Sequence, residues 1–172
     1  MSTTVTLLAA ISADGFISRG RGVPWDLPAD KAHFRAYAAG KWCLLGRTTY
    51  EEMLGWFRDH HPLILSRDPA YHPPVGQHVT SVAEAIARAN AARRPELVVI
   101  GGSSVFNSAM PLAHRLEITH VHDILGAGVS FPPISPEEWE PVSRIAHGID
   151  KRHAQAFEIV TYQRIARLDR AA

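Results

Sequence analysis

Leu97-Val98-Val99-Ile100-Gly101-Gly102-Ser103-Ser104-Val105-Phe106 sets the grammar of the whole chain. An apolar run without polar alternation reads as a strand buried on both faces, as in a parallel sheet. Two glycines then allow a sharp turn, and Ser103 to Met110 reads as a short helix closed by Pro111. The same order recurs on the N-terminal side. Val5 to Ile11, Trp42-Cys43-Leu44-Leu45 and Leu63-Ile64-Leu65 are apolar runs of this kind, each followed closely by Gly or Ser and then a helical pattern. Pro28 suits the first turn of a helix over 27–38. Thr48-Thr49-Tyr50-Glu51 and Ser81-Val82-Ala83-Glu84 both fit the capping box. After the second, Val82, Ala85, Ile86 and Ala89 share one helical face. Leu116 to His122 and Phe157 to Arg164 read as strands with more polar content. The alternation predicts the α/β class: a single domain over residues 1–172, a mainly parallel central sheet with an antiparallel C-terminal strand, and helices on both faces. In such sheets ligands bind beyond the carboxyl ends of the strands, so the residues after each strand carry the functional reading.

The 172 residues suit one compact core. A domain of this size buries roughly two-thirds of the surface its unfolded chain exposes. Eighteen Lys and Arg face seventeen Asp and Glu, a formal net charge of +1, and no like-charge run marks a nucleic-acid surface. Cys43 is the only cysteine, so an internal disulfide is excluded, and a small buried apolar role is expected. The N-terminus lacks the basic region and cleavage site of a signal peptide, and no apolar segment is long enough to span a membrane. A cytoplasmic protein, monomeric, without nucleic-acid or membrane partners, is the expectation. His120 and His122 stand two apart on a strand and share a face, but no third ligand has matching spacing, so no metal is expected.

The loop after the first strand, Ser12-Ala13-Asp14-Gly15-Phe16-Ile17-Ser18-Arg19-Gly20-Arg21-Gly22-Val23-Pro24-Trp25, has the length and glycine content of a lid. Asp30 follows in the first turn of the next helix. By itself a carboxylate there is a common dipole-stabilised surface group. Leu27, Ala32, Phe34 and Trp25 around it instead suggest partial desolvation and an anchor for a charged heterocycle.

Pro24-Trp25-x-Leu27-Pro28-x-Asp30 resembles the signature of the dihydrofolate reductase family. The resemblance continues through Gly46-Arg47-Thr48-Thr49-Tyr50-Glu51, Leu65-Ser66-Arg67, Ile100-Gly101-Gly102-Ser103-Ser104-Val105-Phe106, Leu116-x-Ile118-Thr119 and Phe131-Pro132. It covers the chain from about Val5 to Gln163. It implies the dihydrofolate reductase-like fold and NADPH-dependent reduction of 7,8-dihydrofolate, with hydride transfer to C6 and protonation at N5. By the same resemblance Asp30 grips the 2-amino group and N3 of the pterin, Thr119 orients Asp30, and Trp25 shapes the corner through which a water brings the proton. Leu8, Phe34, Met53 and Ile100 are implied as apolar walls, with Phe57 and Lys31 also at the substrate. Ala9 and Ala10 allow close approach of the ring, and the Ala10 and Ile100 carbonyls are implied to receive the 4-amino-like edge of inhibitors. Ala10, Ile17, Gly46, Arg47, Thr48, Thr49, Ser66, Arg67, Gly101, Gly102, Ser103, Ser104, Val105 and Phe106 are implied for NADPH. The glycine turns admit the pyrophosphate to backbone N–H groups. Arg47 and Arg67 meet the 2′-phosphate, which favours NADPH over NADH.

Four positions depart from the family pattern. His60 stands where an Arg usually holds the substrate's glutamate tail, leaving Arg58, or Lys31 and Arg35, for that task. Lys31 replaces an apolar residue, and Phe106 a Tyr. Gly126-Ala127-Gly128-Val129 lacks the acids that pair this segment with the lid. Two alternatives therefore stand beside folate reduction. One is a reductase of another pterin or of a riboflavin-pathway ribosylated pyrimidine. The other is a non-catalytic pterin- or nucleotide-binding protein.

Overall fold

The computed structural model describes residues 2–166. Ten strands and four helices follow one another: β1 (Thr4–Ser12), β2 (Phe16–Ser18), α1 (Pro28–Ala38), β3 (Trp42–Gly46), α2 (Arg47–Glu52), β4 (His61–Leu65), β5 (Gln77–Val79), α3 (Val82–Ala91), β6 (Glu96–Gly101), α4 (Ser103–Ala109), β7 (Arg115–Val121), β8 (Val129–Ser130), β9 (Trp139–His147) and β10 (Phe157–Arg164). Eight strands form one sheet in the order β5-β4-β3-β6-β1-β7-β10-β9. Strands β5 to β7 pair in parallel with their neighbours, and β10 runs antiparallel to both β7 and β9. The expected mainly parallel sheet with a reversed C-terminal strand is therefore present.

Adjacent residues of the apolar runs serve opposite faces. Leu7, Leu44, Leu63, Leu97 and Val99 pack under α3 and α4, through Val82, Ala85, Ala89, Val105 and Phe106. Leu8, Cys43, Leu45, Ile64, Val98 and Ile100 face the other way, towards Ala38 of α1 and Tyr50 of α2. Polar alternation would expose one of these faces, and each fully buried aliphatic side chain contributes about 1.5–3 kcal/mol. Cys43 is wholly buried, and burial pushes its thiol up to about 12, as suits an inert core residue.

Of the two expected capping boxes, one formed. Ser81 accepts the Glu84 N–H at 3.0 Å at the start of α3, while the Glu84 carboxylate reaches back to Thr80. The box at Thr48 did not. Gly46 is the N-cap of α2, Thr48 lies inside the helix, and Glu51 pairs with Arg47 at 2.8 Å instead. The turn starts earlier because Gly46 takes the extended cap conformation directly after β3. The proposed lid is partly ordered by pairing, since β2 and β8 form a small antiparallel sheet. Among the described residues no helix is long and apolar enough to cross a membrane.

Candidate active site

A cleft of about 1000 Å³ opens beyond the carboxyl ends of the central strands, between α1 and the turns that follow β3 and β6. β1 contributes Leu8, Ala9 and Ala10 to its floor, β6 contributes Ile100, and β7 contributes Thr119. Asp30 enters from α1, with Trp25 and Leu27 just before it. Of the residues expected at substrate and cofactor, the structure brings all but one to this cleft.

The exception is Phe57. It is 2 % exposed and packs behind the wall, against Tyr50, Trp56 and His60. A 3-10 turn at Trp56–Asp59 rotates Phe57 inward, and Trp56 faces the cleft in its place, its ring tilted against Phe34 at 5.4 Å. A short turn cannot be phased from apolar spacing, so nothing in the residue order distinguishes the two aromatics.

At the acid end, the Thr119 hydroxyl donates to Asp30 Oδ1 at 2.5 Å. Thr119 is 3 % exposed. Burial raises the Asp30 pKa above its ordinary value, opposed by the Thr119 hydrogen bond and by the charge of His33 one helical turn on. His33 also lines the cleft, a position the sequence reading passed over. Its Nε2 lies 3.2 Å from Glu117 Oε1, near enough for charge pairing though off the line of a hydrogen bond. Glu117 is itself buried. Desolvation works against its charge, but the His33 imidazole and the Thr161 hydroxyl bring its pKa below the ordinary range. The Trp25 indole N–H donates to Asp123 Oδ2 at 3.0 Å, which pins that ring at the edge of the cleft.

The other end is built from backbone. Gly101 has φ +135°, a conformation L side chains rarely adopt, and its peptide with Gly102 is cis. A Cβ on Gly102 would meet Thr49 Oγ1 at 3.0 Å, and one on Gly46 would meet Val105 Cγ2 at 3.2 Å. The two turns therefore approach each other across the space that Thr49 and Val105 line. Ser103 and Ser104 begin α4 there, and Thr48, Ser66 and Arg67 complete the rim. Arg47 is already held, by Glu51 at 2.8 Å and over the Tyr71 ring at 4.4 Å. Arg67 is exposed and has no ion-pair partner among the described residues. Phe106 is buried, edge-on to Phe131 at 5.0 Å.

Ile17, Ser18, Gly20, Arg21, Gly22 and Val23 bring the lid over the cleft. The acid that ties it down lies on the lid itself. Asp14 accepts the Leu125 and Gly126 N–H groups at 3.1 and 2.7 Å, so the backbone at the start of the acid-free segment is the donor. The Ser12 hydroxyl and these amides hold the Asp14 carboxyl below its usual pKa. Gly128 must be glycine, since a Cβ there would lie 2.1 Å from Ser18 O.

His60 is outside the cleft, stacked on Trp56 at 4.0 Å. Arg35 and Lys31 do line it, and Lys31 is paired with Asp26 at 2.7 Å. His120 bonds the Tyr162 hydroxyl at 2.8 Å, and His122 is exposed.

The dihydrofolate reductase family model matches residues 4–164. The chain is 34% identical over 142 residues to a dihydrofolate reductase of Mycobacterium tuberculosis, an alignment spanning 80% of this chain and 84% of that one. It is 29% identical over 160 residues to a dihydrofolate reductase type 3 of Salmonella typhimurium, spanning 93% and 98%. Among solved structures, a dihydrofolate reductase from Enterococcus faecalis complexed with NADP(H) superposes with a TM-score of 0.86 at 26% identity, covering 96% of this chain and all of that one.

Proposed function

The chain belongs to the dihydrofolate reductase family, and from that premise we propose how its own residues carry the family's reaction. The protein reduces 7,8-dihydrofolate to tetrahydrofolate with NADPH. One observation carries the residue-level reading: a half-buried carboxylate with a raised pKa shares a cleft with two facing glycine turns.

Asp30 accepts hydrogen bonds from the 2-amino group and N3 of the pterin. Two neighbouring donors on the ring match two carboxylate oxygens, and a charge-assisted pair is stronger than a neutral one. Thr119 fixes the carboxylate through one lone pair of Oδ1, which leaves both oxygens able to accept from the ring. A negative Asp30 favours the protonated substrate without touching N5. Trp25, held by Asp123, closes the corner through which a water delivers that proton. Leu8, Phe34, Met53, Trp56 and Ile100 form the apolar walls, and Ala9 and Ala10 leave the backbone accessible to the ring edge. Lys31 and Arg35 supply positive charge along the rim in place of the family's arginine.

The glycine turns fit NADPH. Gly46, Gly101 and Gly102 leave open the volume that side chains would fill, and the adjoining N–H groups meet the pyrophosphate. Thr48, Thr49, Ser66, Ser103 and Ser104 add hydroxyls, while Ile17, Val105 and Phe106 wall the nicotinamide. Arg47 and Arg67 meet the 2′-phosphate. NADPH supplies the hydride to C6. The lid excludes water from the transfer. The chain acts in the cytoplasm as a monomer, and its near-balanced charge supports the further reading that it has no nucleic-acid partner.

The test follows NADPH oxidation with dihydrofolate, dihydrobiopterin and the ribosylated pyrimidine. Dihydrofolate should turn over fastest. Faster turnover of the tail-less pterin would reject the assignment of the folate tail to this cleft.

A further inference from the structure

The helix that carries Asp30 has no cap of its own. Leu27 occupies the N-cap of α1 and offers no side-chain acceptor, and Pro28 has no N–H. The first donor needing a partner is the Ala29 N–H, immediately before Asp30. It donates to Nε2 of His153 at 3.0 Å, across 124 residues of sequence. His153 sits in the β9–β10 connection, is 4 % exposed, and lies beside Phe157. Its other nitrogen, Nδ1, lies 2.8 Å from Asp150 Oδ1. Asp150 is set in turn by the Arg152 N–H at 2.8 Å and by backbone hydrogen bonds between Asp150 and His153 in both directions.

The direction of these bonds settles the imidazole's state. A backbone N–H only donates, so Nε2 presents a lone pair. The proton is then on Nδ1, where the Asp150 carboxylate accepts it. His147, Asp150 and His153 also bring three potential ligand atoms within 4.8 Å of one another. A metal on Nδ1 would need that proton removed while Nε2 stayed unprotonated, or the Ala29 bond broken. The geometry is that of an oriented acceptor, not of a metal ligand.

We propose that His153, oriented by Asp150, is a positioning residue for substrate binding: it caps the N-terminus of α1 from the distant hairpin and thereby sets where Asp30 meets the pterin. The inference rests on Asp30 being the substrate anchor. Asp30 is held at two points, its carboxylate by Thr119 of β7 and its preceding amide by His153. With the second released, the first turn of α1 loosens. The carboxylate then leaves its register with the ring, while the glycine turns at the other end are untouched.

The test compares the full-length protein with His153→Leu, which removes the acceptor, and His153→Gln, whose amide oxygen reaches the Nε2 position. Amide exchange by NMR and steady-state kinetics are the readouts. His153→Leu should exchange the Ala29 amide about tenfold faster than the parent. It should also raise KM for dihydrofolate roughly fivefold, the scale of a lost cap, with a smaller fall in kcat and NADPH affinity unchanged. His153→Gln should restore both protection and KM. Should His153→Leu fail to fold, Asp150→Ala at the exposed turn should shift exchange and KM in the same direction by less. An unchanged KM despite a rapidly exchanging Ala29 amide overturns the proposal. So does a fall in NADPH affinity in step with KM, or a glutamine variant as poor as leucine. If Asp30→Asn retains full turnover, the anchor assignment fails as well, whatever the Ala29 amide reports.

Discussion

The two ends of the cleft solve the same problem, binding a flat charged molecule, with different materials. The pterin end relies on one carboxylate, half-buried and bonded to a single hydroxyl. The cofactor end spreads its contacts over glycine backbone, serine and threonine hydroxyls, and two exposed arginines. A charge in a desolvated place acts strongly and has no substitute nearby. Contacts distributed over a solvated rim are individually weak. The contrast implies that single substitutions should be severe at one end and graded at the other.

Asp30→Asn should have the largest effect. It exchanges an acceptor pair for a neutral amide that places a donor against a donor. Turnover at pH 7 should fall by roughly a hundredfold or more, the scale of two hydrogen bonds to a charged group. NADPH affinity, measured by fluorescence titration, should be retained. Equal losses in substrate and cofactor binding would erase the distinction between the two ends.

Gly101→Ala comes next, and it is the exception that sharpens the rule. At φ +135° an alanine is strained, and its Cβ would meet Thr49 at 3.5 Å. NADPH should bind about tenfold more weakly, since a residue forced into such a region costs of order 1–3 kcal/mol. Thr119→Val should follow, keeping shape but removing the hydroxyl from Asp30. A loss of about 1 kcal/mol, or several-fold in kcat/KM, is expected, with the Asp30 pKa rising further. Arg67→Gln should be smallest. A few-fold loss for NADPH, none for NADH, and a weakening of the difference at high salt are expected from an exposed cation.

Much of this contrast was readable in the residues. The buried strands announced themselves as apolar runs, because both faces are covered and no polar residue interrupts them. Asp30 and the glycine turns were marked by residue type and spacing. β9 went unread for the opposite reason. It is the outer edge of the sheet, exposed along nearly all its length, and it carries Pro141 beside an irregularity in its pairing with β10. Such a strand has neither an apolar run nor a clean alternation. Phe57 and Trp56 were exchanged because a 3-10 turn has no period long enough to phase. The absence of acids in the 126–129 segment suggested a different lid control, and the anchoring acid is Asp14, on the lid itself. His153 was invisible at this level, since nothing local reveals a partner 124 residues away.

The raised pKa of Asp30 also has a cost in stability. A carboxyl whose folded pKa lies above its unfolded value keeps the protein most stable below the ordinary carboxylate range. That contribution is lost as pH rises through the folded value. Asp30→Asn should therefore melt above the parent at pH 7, and the difference should vanish near pH 3, as calorimetry would show.

The central claim is that ionised Asp30 makes protonation of the bound substrate easier. Single-turnover hydride transfer, measured for the parent and Asp30→Asn from pH 7 to pH 5, tests it most directly. The deficit of the variant should be large at pH 7 and shrink towards pH 5, as solvent supplies the proton that Asp30 otherwise favours. A deficit that stays constant across this range, or none at pH 7, would contradict the account.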